Sequence, residues 1–447
     1  MKIIIAGAYA IGTHLARLLS RSKEDITLID DSEERLASIG SDYDLLTMVG
    51  QPTSLKILRD ANVADADLFI SVTPLESKNI TACILAHELG AKRTVAKVDN
   101  PEYMDPQAKE FFKDLGINKL IYPEMLAAVD INNGLKMSWV RQRWDVHDGA
   151  LIMLGIKLRE TCEILNKPLK DISGPNDPYH VVAIKRGGET IIPGGYDELK
   201  LYDLAYFMTT RNYIPYIRKI VGKEHYVDVK NVMIMGGGRT AVRAVKKMPE
   251  YMECKIIEID ENRCEYLNDI LDENKTLIIH GDGRDIPLLT EEGIRSTQAF
   301  VALTGNAETN ILACLTAKRM GVRKTVAAVE NVDYVSMAES LDIGTIINKK
   351  MIAASYIYQM MLDADVMNVR FLMSANADVA EFIAKEGSKV TKKPVKDLGM
   401  PIGVTIGGLV RNGEGMLVSG NTQIEPGDSV MVFCHNINMK KIEKYFI

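Results

Sequence analysis

The chain repeats itself at a long interval, and this limits its possible folds more than any other feature. The segment ITACILAHELGAKRTVAKVDNPEY (Ile80 to Tyr103) is answered by ILACLTAKRMGVRKTVAAVENVDY (Ile311 to Tyr334). Each residue stands 231 positions after its counterpart, without a gap. Other landmarks keep nearly that spacing: Gly7 with Gly236, Asp30 with Glu258, Gly50 with Gly281, and EMLAA ending at Ala128 with KMIAA ending at Ala354. Solenoid units are only ~20–50 residues long, so this period marks a duplicated multi-element module. Two such copies usually pack about a pseudo-two-fold axis, as dimers of single copies do.

Each copy has two parts. In the first, short apolar runs alternate with helical patterns: KIIIAG, THLARLLSR, DITLID, SEERLASIG, LLTMVG, DLFISVT, a helix from Ser77 to Leu89, and TVAKV. The second copy repeats this with NVMIMG, CKIIEID, TLIIHG, AFVALTG and TVAAV. Strands alternating with helices predict βαβ units and a parallel, doubly wound sheet. The second part begins near Gly149 and near Asn368. Its short segments are broken by turn signals such as RGGE, IPGG, RNGE and EPGD. These predict a small α+β module of about 75 residues. The expected fold class is therefore α/β, with duplicated Rossmann-like sheets each followed by a small C-module. Linking helices are expected over Glu124–Val140 and Met351–Ala364. Their methionines suit either helix core packing or contact between neighbouring modules.

Composition narrows the function. The 447 residues carry 54 Lys+Arg against 60 Asp+Glu, a net charge of -6, so no basic surplus for nucleic acid exists. No uncharged apolar run reaches the ~18 residues of a membrane span. The apolar start MKIIIAGAYAIG resembles a secretory signal, but Gly7 and Gly12 interrupt it and the same pattern recurs in mid-chain. Six cysteines without C-x-x-C spacing read as reduced, mostly buried thiols of a cytosolic protein.

The glycine turns carry the chemistry. In the second copy, Gly236-Gly-Gly238-Arg239-Thr-Ala241 follows a strand and opens a helix, the context that G-x-G-x-x-A requires. Gly236 permits the turn, Gly238 admits a diphosphate, and Ala241 packs helix on sheet. The helix N-terminus offers free amides to phosphates. Glu258 ends the next strand, where a carboxylate can accept from ribose hydroxyls. Asp282 follows the third strand's glycine. The first copy reads Gly7-Ala-Tyr9-Ala-Ile-Gly12, with Asp30 intact and Gln51 in place of Asp282. Tyr9 is expected to intrude on the diphosphate and, at positive φ, to cost about 1–2 kcal/mol. This copy either binds weakly or has kept only the fold. Thr73 and Thr304 stand at the carboxyl ends of the fourth strands, where ligands bind in open α/β sheets. The alternative for these loops is helix capping by Thr304, Asn306 or Ser77. None of the landmark positions carries His in both copies, and no H-E-x-x-H, G-x-S-x-G or G-K-[ST] motif occurs. A nucleotide fold without evident catalytic groups points to sensing; an NAD(P)-dependent oxidoreductase is the rival reading.

The stretches GGGRTA, HGDGRD, VALTGNAETNILACLTAKRMG, VAKVDNPEY and the IEPGD turn before VMVF make the chain recognisable. It resembles the Trk-system potassium uptake protein A family, regulators built from tandem RCK (KTN) modules. The resemblance implies RCK N-terminal modules at 1–140 and 226–365 and C-terminal modules at 141–225 and 366–447. It further implies NAD(H), ATP or ADP as effectors rather than catalysis. The implied assembly is a homo-oligomer, a dimer or tetramer ring, beneath a Trk-type membrane potassium channel or transporter. The implied location is cytoplasmic, peripheral at the inner face of the cell membrane. Arg239 matches the family's phosphate-reading arginine, where the first copy has Ala10. Lys97 and Glu124 match its basic residue on the fifth strand and acidic residue opening the linking helix; the second copy has Ala328 and Lys349 there.

Overall fold

Alternating apolar runs and helices build two parallel sheets of the same plan. In the computed structural model, which describes residues 1–20, 24–37, 39, 43–172, 178–362, 366–372, 377–435 and 439–447, the first sheet is made of six strands. These are β1 (Lys2–Ala6), β2 (Asp25–Asp30), β3 (Leu46–Val49), β4 (Leu68–Ser71), β5 (Thr94–Lys97) and β6 (Lys119–Ile121), in the order β3-β2-β1-β4-β5-β6. All its pairings are parallel. The central strands are buried on both faces, which is why β1 is an unbroken Ile3-Ile4-Ile5 run rather than an alternating one. At the edge, β3 leaves Leu46 and Val49 exposed.

An antiparallel sheet follows: β7 (Gln142–Val146), β8 (Leu151–Lys157), β9 (Tyr179–Arg186), β10 (Glu189–Ile191) and β11 (Leu204–Thr209), in the order β10-β9-β11-β8-β7. The third sheet returns to the parallel plan with β12 (Asn231–Met235), β13 (Glu253–Glu258), β14 (Thr276–His280), β15 (Ala299–Ala302), β16 (Lys324–Ala328) and β17 (Thr345–Ile347). Its order, β14-β13-β12-β15-β16-β17, reproduces the first strand for strand. The fourth sheet is antiparallel: β18 (Val366–Leu372), β19 (Ala377–Ile383), β20 (Val404–Arg411), β21 (Glu414–Leu417) and β22 (Ser429–Cys434), in the order β18-β19-β22-β20-β21. Read from its other edge, that is the second sheet's order. The duplication thus extends through the C-modules, where sequence identity had faded.

The second sheet opens at Gln142, ahead of the Gly149 read from the turn signals and beside the 141 that the resemblance implies, because Trp144 and Val146 are buried by the antiparallel core. The linking helices are shorter than expected. They run over Pro123–Leu135 and Lys349–Tyr358, the latter followed by a 3-10 turn to Met361. The first stops because Trp139 and Val140 are drawn into the core of the second sheet, with Ser138 Oγ bonded to the Val227 carbonyl at 2.6 Å. Residues 363–364 of the expected second helix lie outside the described residues.

Packing divides the chain into two compact units: residues 1–126 with 349–361, and residues 127–348 with 362–447. Within the first unit, the later copy's linking helix lies against the helix Ala10–Ser20. Within the second, the earlier copy's linking helix reaches the helix Arg239–Lys246, where Asn132 Nδ2 donates to the Ala244 carbonyl at 3.0 Å. Each linking helix therefore seats on the glycine-turn helix of the other copy. Met125 packs on the core of the first sheet and Met137 on that of the second, so both serve as core residues. The second and fourth sheets share one core, with Met153, Val182 and Tyr206 against Val379, Met431 and Phe433.

Candidate functional site

Both glycine turns sit where the strand order reverses, beside β1 and β12. Gly7 has φ +109° and Gly236 has φ +98°. A Cβ on either would also meet the backbone of the fourth strand's end, 3.0 Å from Thr73 N or 3.1 Å from Thr304 N. Glycine is needed there for conformation and for space at once. Gly12 answers a different demand: a Cβ on it would lie 1.8 Å from the Gly7 carbonyl oxygen. Its counterpart Ala241 is fully buried and accommodated.

The middle position decides access. Gly238 has φ −68° and caps the helix Arg239–Lys246; a Cβ placed there meets nothing within 4 Å. Tyr9, its counterpart, has no positive φ either. The expected backbone strain at Tyr9 is therefore absent: an ordinary side chain adopts this backbone. What differs is the space above the turn. The Arg35 guanidinium lies over the Tyr9 ring, 4.4 Å from its centroid, within cation–π reach.

Arg35 then closes the first copy's site. Asp30 is 2% exposed. Its Oδ2 accepts from Ala8 N at 2.7 Å, and its Oδ1 from Ser32 N at 2.9 Å and Arg35 Nε at 2.8 Å. Arg35 Nη2 adds an ion pair at 2.7 Å. Three of these contacts fall on Oδ1 and one on Oδ2, so Arg35 and two backbone amides hold a carboxylate that is shut away from solvent. Next to it, Asp31 collects Arg35 at 2.5 Å, Gln51 Nε2 at 2.8 Å and Lys78 at 3.0 Å. The Lys78 hydrogen bond, ahead of burial acting upward, holds the Asp31 carboxyl below its ordinary range.

The second copy's counterparts do not form this network. Glu258 Oε2 accepts from Gly237 N at 2.6 Å, and Oε1 from Ile259 N at 2.8 Å and Asp260 N at 3.0 Å. Three acceptor directions are used and one remains for a hydroxyl. Arg263, equivalent to Arg35, donates to the Gly237 carbonyl of the turn at 2.8 Å and lies over Tyr266. The exposed Ile259 replaces Asp31. Asp282 is half-buried and paired with Arg284 at 2.6 Å, and that hydrogen bond lowers its carboxyl. Arg239 is exposed at the first helical position.

Thr73 and Thr304 are tied to residues that the sequence reading did not single out. Asn79 Oδ1 accepts from Thr73 N at 2.8 Å and Thr73 Oγ1 at 2.7 Å, and its amide donates to the Thr73 and Lys97 carbonyls. Asn310 repeats this with Thr304 N and Oγ1 and the Thr304 and Ala328 carbonyls. Each buried asparagine clamps the fourth strand, the fifth strand and the following helix together. The signal was present: Asn closes both TPLESKN and TGNAETN. Asn306 caps the helix Ala307–Arg319 through Thr309 N at 2.6 Å. Ser77 caps nothing, because the helix Glu76–Glu88 starts before it and Glu76 binds Asp99 N and Asn100 N instead. Lys97 Nζ is held by Asp99 at 2.8 Å. Glu124 faces Lys349 at 3.8 Å and the two form an ion pair in the first unit.

Residues 3–123 and 232–349 match the TrkA-N domain family, and residues 379–447 match the TrkA-C domain family. The Trk system potassium uptake protein TrkA of Haemophilus influenzae is 30% identical over 456 residues, covering 100% of this chain and 98% of that protein. A TrkA homolog of Archaeoglobus fulgidus is 28% identical over 448 residues, covering 100% of each. Among solved structures, the GsuK RCK domain superposes with a TM-score of 0.62 at 15% identity, over 100% of this chain and 94% of that one. The GsuK channel bound to NAD gives 0.61 at 14% identity, over 100% and 78%. These two likenesses concern the fold. With both TrkA-N regions, the closing TrkA-C region and full-length relatives in agreement, the chain belongs to the Trk system potassium uptake protein TrkA family.

Proposed function

We propose that this protein is a non-catalytic, nucleotide-sensing regulatory subunit that gates a Trk-type membrane potassium uptake system as a ring-forming homo-oligomer at the inner membrane face. NAD(H), ATP or ADP are its effectors. The responsive pocket is the later one, with Gly236, Gly238, Arg239, Ala241, Glu258, Asp282 and Thr304. The earlier set, Gly7, Gly12, Asp30, Thr73, Lys97 and Glu124, holds nucleotide weakly. One observation carries this reading: the space over Gly238 is open and Glu258 accepts from backbone amides, whereas Arg35 covers Tyr9 and pairs with the buried Asp30.

The route to the membrane partner follows from the exchanged linking helices. A diphosphate at the later turn engages the amides of the helix Arg239–Lys246. That helix contacts the earlier linking helix through Asn132, so its displacement moves an element of the other copy. A ligand shifts such an equilibrium only by its differential affinity for two states. Thr73 and Thr304, the hydroxyls nearest the switch point, are both engaged by asparagine, which favours binding over proton transfer.

The test is calorimetric binding of ATP, ADP and NADH to wild type, Gly238→Tyr and Arg239→Ala. Gly238→Tyr is expected to remove the tightest site, and Arg239→Ala to change the order of preference among the three. An unchanged order overturns the phosphate-reading role of Arg239. NADH turnover with a panel of small substrates would favour an oxidoreductase instead.

A further inference from the structure

Away from both glycine turns, the second unit contains a cavity of about 510 Å3 between its first antiparallel sheet and one end of the third sheet. One wall comes from β7, β8 and β9, the other from the helix Asp333–Ser340 and β17. Its volume lies within the ~300–1,000 Å3 of small-molecule sites. Arg141, Lys157, Arg159 and Lys185 line it, against only two carboxylates, Glu339 and Asp342.

The pairing in this cavity is unbalanced. Asp342 alone takes Arg141 at 2.5 Å, Arg159 at 2.5 Å and Lys318 at 3.0 Å. Burial works upward on its carboxyl, but these three cations win and hold it down to about 2. Lys185 has Glu339 at 2.8 Å. Lys157 has no hydrogen-bond or ion-pair partner among the described residues. Asp203, the next carboxylate whose field reaches Lys157, is already bound by Arg186 at 2.8 Å. With Lys318 included, five cations face two carboxylates, an excess of three charges. Partly buried cations without counter-charge are unfavourable until an anion joins them.

Three further features shape the site. Glu339 Oε1 is buried without a hydrogen-bond partner among the described residues, an acceptor that calls for a donor such as a ligand hydroxyl. Tyr202 holds φ +66°, a strained backbone of the kind that collects at ligand sites, with Arg159 beside its ring. Gly187 and Gly188 form an open rim at the β9–β10 hairpin.

We propose that this cavity is a second anion site, built for a hydroxyl-bearing organic phosphate of about three negative charges. Lys157, Arg159 and Arg141 take the phosphates, Glu339 Oε1 accepts from a hydroxyl, and Tyr202 borders the organic part. The site rests on residues outside both glycine turns, so it stands or falls separately from the reading above.

The experiment titrates the full chain with pyrophosphate and with ADP in physiological salt, using wild type, Lys157→Gln, Tyr202→Ala and Gly238→Tyr. The Lys157 side chain makes no hydrogen bond or ion pair among the described residues, so its variant is expected to melt as wild type does. Pyrophosphate should bind one saturable site per chain that survives Gly238→Tyr and weakens roughly tenfold or more in Lys157→Gln. In the Gly238→Tyr background, ADP binding tighter than pyrophosphate and lost on Tyr202→Ala identifies a nucleoside phosphate. Equal affinities identify the phosphates alone as the recognised group. The proposal is overturned if wild type shows no saturable pyrophosphate site, if Lys157→Gln binds as wild type does, or if Gly238→Tyr alone abolishes binding.

Discussion

Replacing Lys324 by methionine is expected to stabilise the second unit at neutral pH. Lys324 is 3% exposed. Its Nζ donates to the Val140 carbonyl at 2.6 Å and to Thr345 Oγ1 at 3.0 Å, with no carboxylate beside it. Burial, with Arg141 nearby, pushes its ammonium down from an ordinary 10.5 to about 7. Each unit of such a shift is worth about 1.4 kcal/mol, so the group costs about 4 kcal/mol at pH 7. The sign follows from proton counts. Between pH 7 and 10.5 the unfolded chain keeps the proton and the folded chain does not, so stability rises with pH across that window. Below pH 7 the whole cost applies. Methionine matches the stem but leaves the Val140 carbonyl without this donor, a loss of about 1–3 kcal/mol. Thr345 Oγ1 still donates to the Arg141 carbonyl at 2.6 Å. The net gain at pH 7 is therefore about 2 kcal/mol, shrinking to nothing or reversing by pH 10. Urea unfolding can be followed by tryptophan fluorescence, because Trp139 and Trp144, the only two in the chain, are both buried in this unit. A variant less stable than wild type by the same amount at every pH would refute the reasoning.

Four other outcomes are expected. Gly12→Ala should lower stability by about 3 kcal/mol or more, because its Cβ would meet the Gly7 oxygen at 1.8 Å; an unchanged melting point would show that the turn has room. In a Lys157→Gln background, Tyr9→Gly combined with Arg35→Ala should open the earlier site, raising bound ADP from one to two per chain as counted by equilibrium dialysis. Asn310→Leu should cost about 3 kcal/mol, since it breaks three bonds to Thr304 and one to the Ala328 carbonyl, and hydrogen exchange along β15 and β16 should report it. Burial raises the Asp378 carboxyl from 3.8 to about 7, so the folded chain holds a proton there that the unfolded chain has lost. That contribution is full below pH 4 and fades as pH rises to 7. Asp378→Asn should flatten this part of the stability curve, read as urea midpoints at pH 5 and pH 8.

Much of the candidate site was legible because backbone needs leave residue-level marks. A left-handed turn beneath the fourth strand requires glycine at Gly7 and Gly236, and a carboxylate that receives a turn amide requires Asp30 or Glu258. Whether the site is open was not legible. Arg35 and Arg263 occupy equivalent positions in equivalent patterns, yet one lies over Tyr9 and pairs with Asp30 while the other bonds the Gly237 carbonyl and leaves Glu258 to backbone amides. The difference arises from Tyr9 and Asp31 acting with Arg35 in three dimensions, and no single position announces it. The excess strain expected at Tyr9 failed for a related reason: a glycine in a motif can serve space rather than φ.

By itself the sequence determined the duplicated architecture, since a repeated order of apolar runs and helical patterns can bury its surface only by repeating the same sheets. It also marked both glycine turns and the family to which they belong. Tertiary structure alone decided which linking helix seats on which sheet, which turn stays accessible, and where unbalanced charge collects. Arg141, Lys157, Lys185 and Asp342 lie as much as 201 residues apart and carry no shared motif. They meet because two sheets pack, and charge acts across distance in space, whatever the separation along the chain.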